Sequence, residues 1–215
     1  MSFPNVIYGR YGDEKVAQSS AIGNLAYGHI MVLSDGRSFH HSIAPSGTAL
    51  NAGYLYQTPA DVSDTAREKA LALAATVAVG ATSIVVTMGG TALTADQYVG
   101  GDLITASSTG TGIGRLYKIL TNNSAAASST ATFGLEPSDP IETALSGGTV
   151  TVGIRQNKFR NLIVTTADTV MTGPVIGIPP IAVSAGFSFW AQHKGQAPAF
   201  VGGTVLIVGS KIVAS

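Results

Sequence analysis

Short apolar runs alternate with turn-forming residues over much of the chain, most regularly from about residue 96 to residue 153. Turn signals recur there roughly every 8–12 residues, which is typical of an antiparallel β-sandwich or barrel. Proline cannot donate a ladder hydrogen bond, so Pro137 and Pro140 exclude a central strand between them. The pattern predicts an all-β fold, an antiparallel sandwich or a barrel-like domain. The predicted strands are 98–106, 113–121, 132–136 and 149–154, and the runs 162–166 and 170–178 follow them.

The stretch 61–79 carries two competing patterns. Thr65 to Glu68 fits the T-x-x-E capping box, and the Ala and Leu content favours a helix. A period of two is present as well, which favours a strand. The alternating positions are Leu71, Leu73, Ala75, Val77 and Val79. Because a turn at 80–82 leads into a β-branched run, we predict a β-hairpin over about 70–88, with at most one helical turn near 62–68.

The first sixty residues show no sustained period and are rich in Gly, Ser, Tyr and His. Single strands are predicted at 29–33 and 49–56, with a turn at 34–36. A long segment without regular structure is uncommon inside a compact domain, so it must lie on a surface. We therefore predict two parts: an extended, aromatic-rich arm over 1–60 and a β-rich domain over 61–215. A few edge strands of the same domain are the alternative for the first part.

The stretch 185–213 holds the only tryptophan and three of the seven phenylalanines, with glycines separating three strand-like runs. Alternation places Phe187 and Phe189 on one face of the first run and Trp190 on the other. The phenylalanines, and a face formed by Val205 and Ile207, are predicted to be buried. Tryptophan is common at interfaces because its large apolar ring carries one donor. An intersubunit contact is the preferred interpretation of Trp190, over a core position and over a sugar-stacking platform.

Charge is scarce: charged residues make up 11% of the chain, and twelve basic and twelve acidic side chains cancel to zero. Soluble globular chains usually carry about 25% charged residues. A net charge near zero favours association, and the 70–95 stretch without a single charge would be an aggregation hazard if exposed. We expect much of the surface to be covered by other copies or by a partner. The balance argues against a nucleic-acid binder, which normally has a basic stripe.

The remaining compositional signals define the expected compartment. There is no cysteine for a disulfide or a thiolate site, and the N-terminal residues lack the pattern of a signal peptide. No run reaches the roughly 18 apolar residues that a membrane helix needs. We expect a protein made in the cytoplasm that does not insert into a membrane.

Three motifs suggest chemistry but have simpler interpretations. His40 and His41 are adjacent, so on a strand they point to opposite faces and cannot easily share a metal ion. The glycines at 110–114 are followed by a strand-like run rather than a helix, so a hairpin turn is favoured over a phosphate site. The acidic residues at 136–142 are interleaved with prolines, which suits an exposed turn better than calcium binding or glycoside hydrolysis. We therefore predict no catalytic residue, no cofactor and no metal.

Two further motifs are short. Asn122-Asn123-Ser124 fits the glycosylation sequon, which occurs often by chance. The run RQNKFR at 155–160 holds three of the twelve basic residues. A short basic run is usually a solvated loop, and the alternative is docking onto an acidic patch of a partner.

The order of motifs over residues 70 to 213 resembles virion structural proteins of tailed bacteriophages. It is similar in particular to the small head-decoration (cement) proteins of phages of aquatic bacteria. The segments that carry the resemblance are VAVGATSIVVTMGGTALTADQYVGGDLITAS (77–107), GIGRLYKILTNN (112–123), LEPSDPIETAL (135–145), KFRNLIV (158–164), FSFWAQHKGQAPAFV (187–201) and GTVLIVGSKIV (203–213). The resemblance implies a β-rich protein, often trimeric, bound outside the capsid near three-fold positions and without enzyme activity.

We therefore expect a protein of the capsid exterior, made in the host cytoplasm, whose partners are the major capsid protein and other copies of itself in a homotrimer. Neither nucleic acid nor a membrane is an expected partner. The expected contact residues are Tyr8, Tyr11, Tyr27, Arg155, Lys158, Arg160 and Trp190. A receptor- or glycan-binding tail or fibre module is the alternative, and a glycan hydrolase using the 136–142 carboxylates is a third hypothesis.

Overall fold

The computed structural model describes residues 6–59, 68–106, 110–165 and 173–199. The described strands are, in chain order, β1 Val6–Tyr8, β2 Ala17–Gln18, β3 Ile30–Val32, β4 Ser38–Ile43, β5 Tyr56–Gln57, β6 Leu71–Leu73, β7 Ser83–Thr87, β8 Asp102–Ala106, β9 Leu116–Asn122, β10 Thr130–Leu135, β11 Thr151–Arg155, β12 Ile163–Val164, β13 Val175–Gly177 and β14 Ser188–Lys194. Two short 3₁₀ turns, Asp13–Lys15 and Ile22–Asn24, are the only helical elements of the described residues. The predicted all-β fold is confirmed.

The chain forms two compact units. One contains the described residues of 1–60 together with those of 158–215, and the other contains those of 61–157. The observed division therefore differs from the predicted one, in which a single β-rich domain ran from 61 to 215.

The unit of residues 61–157 is a closed antiparallel barrel with the strand order β10-β7-β6-β11-β8-β9. The predicted hairpin over 70–88 is confirmed, because β6 pairs with β7 through Ala72↔Thr87 and Leu73↔Val86. The buried positions alternate along both strands, as the period of two requires. Val79 departs from the pattern and is exposed. Of the predicted helical turn near 62–68, all but Glu68 lies outside the described residues.

One continuous apolar cluster fills this barrel. Side chains from all six strands point inward, among them Leu103, Ile119 and Val152, which are fully buried. Tyr98 and Phe133 meet edge to face inside, with ring centroids 6.3 Å apart. Burying each such side chain contributes roughly 1.5–3 kcal/mol. The inner face of the barrel is thus occupied by side chains, and its outer face is left for contacts.

The other unit has a five-stranded sheet of order β1-β3-β4-β14-β2 and a three-stranded sheet of order β12-β5-β13. The predicted turn at 34–36 joins β3 to β4 as an antiparallel hairpin. Of the predicted strand at 49–56, only Tyr56 lies in a strand, while Leu50 makes a single bridge to Val183.

Residues 6–57 supply the strands β1 to β5, which belong to these two sheets. The decisive contact is antiparallel pairing of β4 with β14, from Ser188↔Ile43 to Lys194↔Ser38. The predicted extended arm is therefore corrected, because residues 38–43 lie in the middle of a sheet. Pairing partners that lie about 150 residues apart leave no period in the local sequence. The alternative of a few edge strands fits β1 but not β4, which is an interior strand.

The strand β14 is covered on both faces. Phe189 and Ala191 belong to one apolar cluster, in which Phe187 packs as a partly buried neighbour. Trp190 belongs to a second cluster with Met31, Leu33 and Phe39. The predicted alternation is confirmed, and so is the burial of Phe189, whereas Phe187 is only partly buried. The predicted face of Val205 and Ile207 lies outside the described residues.

Candidate functional site

Tyr8 and Tyr11 are strongly exposed, at 84% and 64%. Tyr8 ends β1, and among the described strands β1 pairs only with β3. Tyr11 follows in the next turn, where the Arg37 guanidinium carbon lies 5.9 Å from its ring centroid. Arg37 is itself held by Asp35 at 2.6 Å and by the buried Glu14 at 3.7 Å. Tyr8 is therefore exposed at an edge of the sheet as the described strands form it, and Tyr11 is exposed in the turn that follows.

Tyr27 is engaged within its own unit. Its hydroxyl lies 3.1 Å from the Ser188 hydroxyl, and its ring stacks on His41 at 4.9 Å. The Arg160 guanidinium lies 5.7 Å from the centroid of the same ring. Tyr27 is only partly exposed and links the loop before β3 to β14.

Trp190 is 3% exposed, so the predicted intersubunit contact is corrected. The residue lies on an interior strand of the sheet, and its ring contacts His41 with centroids 5.3 Å apart. The same burial removes it as a sugar-stacking platform. Sequence alternation separated the two faces of β14 correctly but could not show that both faces are covered.

The predicted basic run is divided between the two units. Arg155 ends β11 in the barrel, whereas Lys158 and Arg160 belong to the other unit. Lys158 lies at the mouth of a pocket in that unit, and its ammonium is 5.0 Å from the ring centroid of Phe159. The sequence pattern therefore indicated one residue of this pocket and missed the rest.

The pocket has a volume of about 420 Å³ and contains a continuous row of four side chains. After Lys158 and Phe159 comes His40, whose ring centroid is 4.5 Å from that of Phe159. His193 stacks on His40 with centroids 4.0 Å apart. His40 is on β4 and His193 on β14, and the antiparallel pairing of these strands brings the two imidazoles onto one face. No sequence spacing would have indicated this pair.

The two imidazoles are poorly disposed to carry charge. Burial, repulsion by His193 and repulsion by Lys158 lower the pKa of His40 to about 4. Burial and then the neighbouring Lys194 lower the pKa of His193. The His40 Nδ1 lies 3.3 Å from the Gly28 carbonyl oxygen, so a neutral His40 donates there and leaves Nε2 as an acceptor. Both rings are neutral at neutral pH.

One part of the pocket wall is apolar. Leu55, Phe159 and Ile176 line it together with Pro174 and Val175. No Asp or Glu is among its described lining residues. The arrangement offers cations, imidazoles and apolar surface, which suits binding of a ligand.

The backbone at Gly28 passes close to the ring of Phe159 in this row of side chains. Gly28 has a φ of 101°, and a Cβ there would come within 2.7 Å of the Phe159 ring. The backbone can therefore pass beside Phe159 only without a side chain. This approach also brings the Gly28 carbonyl to His40.

His41 performs a structural role on the opposite face. Its Nε2 accepts a hydrogen bond from the Ile22 amide at 3.2 Å, and its Nδ1 donates to the Ala26 carbonyl oxygen at 3.2 Å. Burial lowers the pKa of His41. The prediction that His40 and His41 point to opposite faces is confirmed. Among the described residues there is no group of three or more side chains that could hold a metal ion.

The other sequence motifs have structural roles. The glycines at 110–114 lie in the connection between the antiparallel strands β8 and β9, as predicted for a hairpin. Glu142 pairs with Arg115 at 2.8 Å on an exposed surface, and Asp139 donates its amide to the Glu136 carbonyl in a turn. Asn122 is 3% exposed and hydrogen-bonded on both sides, so its side chain is not open to glycosylation in the folded barrel.

No protein-family model, curated protein or solved structure matches this chain. Within the described part of the chain, no helix is long and apolar enough to span a membrane.

Proposed function

We propose that the chain is a non-enzymatic head-decoration protein of a tailed bacteriophage, which binds the outside of the assembled capsid and stabilises it by bridging capsid subunits. The observation that carries the proposal is the sheet edge at β1, where Tyr8 and Tyr11 are exposed in a chain of very low charge. The order of sequence motifs over residues 70 to 213 supports the same class.

An edge strand offers free backbone groups on its outer side, to which a strand of another chain can add. Tyrosine is suited to such a contact because it supplies a large rigid surface at a low cost in conformational entropy. Tyr8 and Tyr11 would flank the added strand, and the ion pairs around Arg37 would hold the second tyrosine in place. This surface can dock on a capsid subunit.

The outer face of the barrel provides a second contact surface. Leu116 and Leu120 are exposed on β9, and between them Lys118 is neutralised by Asp102 at 2.6 Å. Exposed apolar side chains around an internally paired charge suit a contact with a neutral, apolar neighbour. In the proposal this neighbour is another copy within a homotrimer or the major capsid protein.

The proposed action follows from multivalent binding. A decoration subunit can contact several capsid subunits of the shell at once. After its first contact forms, the others form at a high effective concentration, so it binds the shell more tightly than it binds free capsid subunits. Because the decoration subunit binds only the assembled shell, it shifts the assembly equilibrium by mass action and stabilises the shell. Such a role requires contact surfaces and no chemistry.

The proposal predicts that the double variant Tyr8→Ser, Tyr11→Ser loses capsid binding. Heads purified from the virus that encodes the chain are incubated with each protein, and bound protein is measured by sedimentation. The wild-type protein is expected to co-sediment, and the double variant to bind at least about tenfold more weakly, the equivalent of about 1.4 kcal/mol.

The control is Val79→Ser, which changes an exposed apolar residue of the barrel. It is expected to bind as the wild type does. Undiminished binding of the double variant would overturn the role of the β1 edge. Antibody labelling of particles in the electron microscope separates the proposal from the alternative of a receptor- or glycan-binding tail or fibre module, because label on the tail alone would contradict a head protein.

A further inference from the structure

We infer that the pocket lined by His40, Lys158, Phe159 and His193 is a binding site for a carboxylate joined to an apolar body. The ligand could be a free aryl-alkanoate, or the C-terminal carboxylate of a polypeptide that ends in an apolar residue. The inference does not rest on the proposed function. The volume of about 420 Å³ lies within the range of roughly 300–1,000 Å³ that small-ligand sites occupy.

The charge of the pocket selects an anion. Lys158 and Lys194 line it, and neither has an ion-pair partner among the described residues. Its described lining contains no acidic side chain that could neutralise them. An anionic group bound beside either ammonium group would gain charge-assisted hydrogen bonds, which are about twice as strong as neutral ones.

The apolar part of the pocket wall favours a ligand that carries an apolar body beside its anionic group. Leu55, Ile176 and the ring of Phe159 form an apolar wall beside Pro174 and Val175. Val175 is exposed, so a ligand would remove apolar surface from water as it enters. A small inorganic anion would leave this wall uncovered. A carboxylate with an aromatic or aliphatic body uses both the cations and the wall.

The stacked imidazoles add a pH response to the site. His40 faces His193 and Lys158, and His193 faces His40 and Lys194, so the charged groups that the described residues place around the two rings are basic. A bound carboxylate would oppose this repulsion and favour protonation of one ring. Binding should therefore strengthen as the pH falls from about 7.5 to about 5.5, where most carboxylates remain ionised.

The test is calorimetric titration of the full-length chain at about pH 7 with hydrocinnamate, its neutral amide hydrocinnamide, and acetate. Saturable binding of hydrocinnamate is expected, at least about tenfold tighter than binding of the amide or of acetate. Lys158→Gln and His193→Ala are each expected to weaken it severalfold. Lys69→Gln, which removes an exposed lysine from the other unit, is the matched control and should bind as the wild type does.

Two arms distinguish the sources of the carboxylate. In the first, the protein is titrated with a short peptide that ends in a free C-terminal phenylalanine; in the second, with hydrocinnamate. Tighter binding of the peptide indicates the C-terminus of a polypeptide as the ligand. Otherwise the ligand is a small acid. Absence of saturable binding by both compounds, equal binding of amide and acid, or unchanged binding by a folded Lys158→Gln variant would overturn the inference. Because Tyr8 and Tyr11 are untouched in every variant, these outcomes leave the decoration proposal standing.

Discussion

At the scale of single residues, two aromatic side chains that were both predicted to contact another chain differ in burial. Tyr8 is almost fully exposed at the end of an edge strand, while Trp190 is buried on an interior strand against Met31 and Phe39. A tryptophan buried in this way contributes through packing, because its neighbours cannot close the space that its removal would leave. The contribution of Trp190 is therefore to the stability of its unit.

Trp190→Ala is predicted to lower the free energy of unfolding by about 3–5 kcal/mol. Tyr8→Ala is predicted to change it by less than about 0.5 kcal/mol, because an exposed side chain loses little packing. Urea denaturation followed by circular dichroism measures both variants. If Trp190→Ala retained the wild-type midpoint and lost self-association instead, the burial described here would be contradicted and the intersubunit interpretation restored.

At the scale of elements, one side chain at the end of β9 adds hydrogen bonds to the segment that precedes β8. The Asn122 Oδ1 accepts from the Tyr98 amide at 2.9 Å, and its Nδ2 donates to the Thr94 carbonyl oxygen at 2.8 Å. These bonds satisfy backbone groups that the barrel buries, and a buried group left without a partner is costly. Asn122 therefore joins a strand to a turn, which explains the residue type without reference to glycosylation.

Asn122→Ala is predicted to destabilise the barrel by about 1–3 kcal/mol, since the Tyr98 amide would lose its acceptor. Asn123→Ala is the matched control: the Asn123 side chain accepts from the Thr132 amide on an exposed surface, where water can replace it. Urea midpoints of the two variants give the comparison. An equal effect at both positions would mean that the bonds of Asn122 do not stabilise the barrel more than an exposed bond does.

At the scale of the whole molecule, histidines are confined to one unit. All four lie outside residues 61–157, so the barrel has none. The pKa values of His40, His41 and His193 are lowered, in each case chiefly by burial. An unfolded chain, with ordinary histidine pKa values near 6.5, binds more protons than the folded unit once the pH falls below that value. Acid therefore weakens the unit that contains β4 and β14.

Stability of this unit is predicted to be complete above about pH 6.5 and to decrease as the pH falls toward 4, the approximate pKa of His40. Because His40 is half-buried, solvent screening reduces the effect, and we expect it to contribute roughly 1–2 kcal/mol to the loss. Fluorescence of the single tryptophan, Trp190, reports on this unit during urea unfolding at several pH values. His40→Gln removes the titrating ring and should lose less stability between about pH 7 and pH 5. An identical pH dependence in both proteins would exclude His40 as a cause.

Local patterns were sufficient for the features that depend on neighbours in the chain. Turn residues and a period of two predicted the β class, the hairpin over 70–88, the opposite directions of His40 and His41, and the two faces of β14. Each of these follows from backbone geometry over a few residues, where adjacent side chains of a strand must point to opposite sides.

The tertiary structure alone decided what covers each face. Pairing of β4 with β14 joins segments about 150 residues apart, and this pairing places β4 in the middle of a sheet, buries Trp190 and stacks His40 on His193. Alternation specifies a side of a strand but contains no information on which distant strand lies beside it. Local sequence therefore defines the strands and their faces, while the energy of long-range packing selects their partners and creates the pocket.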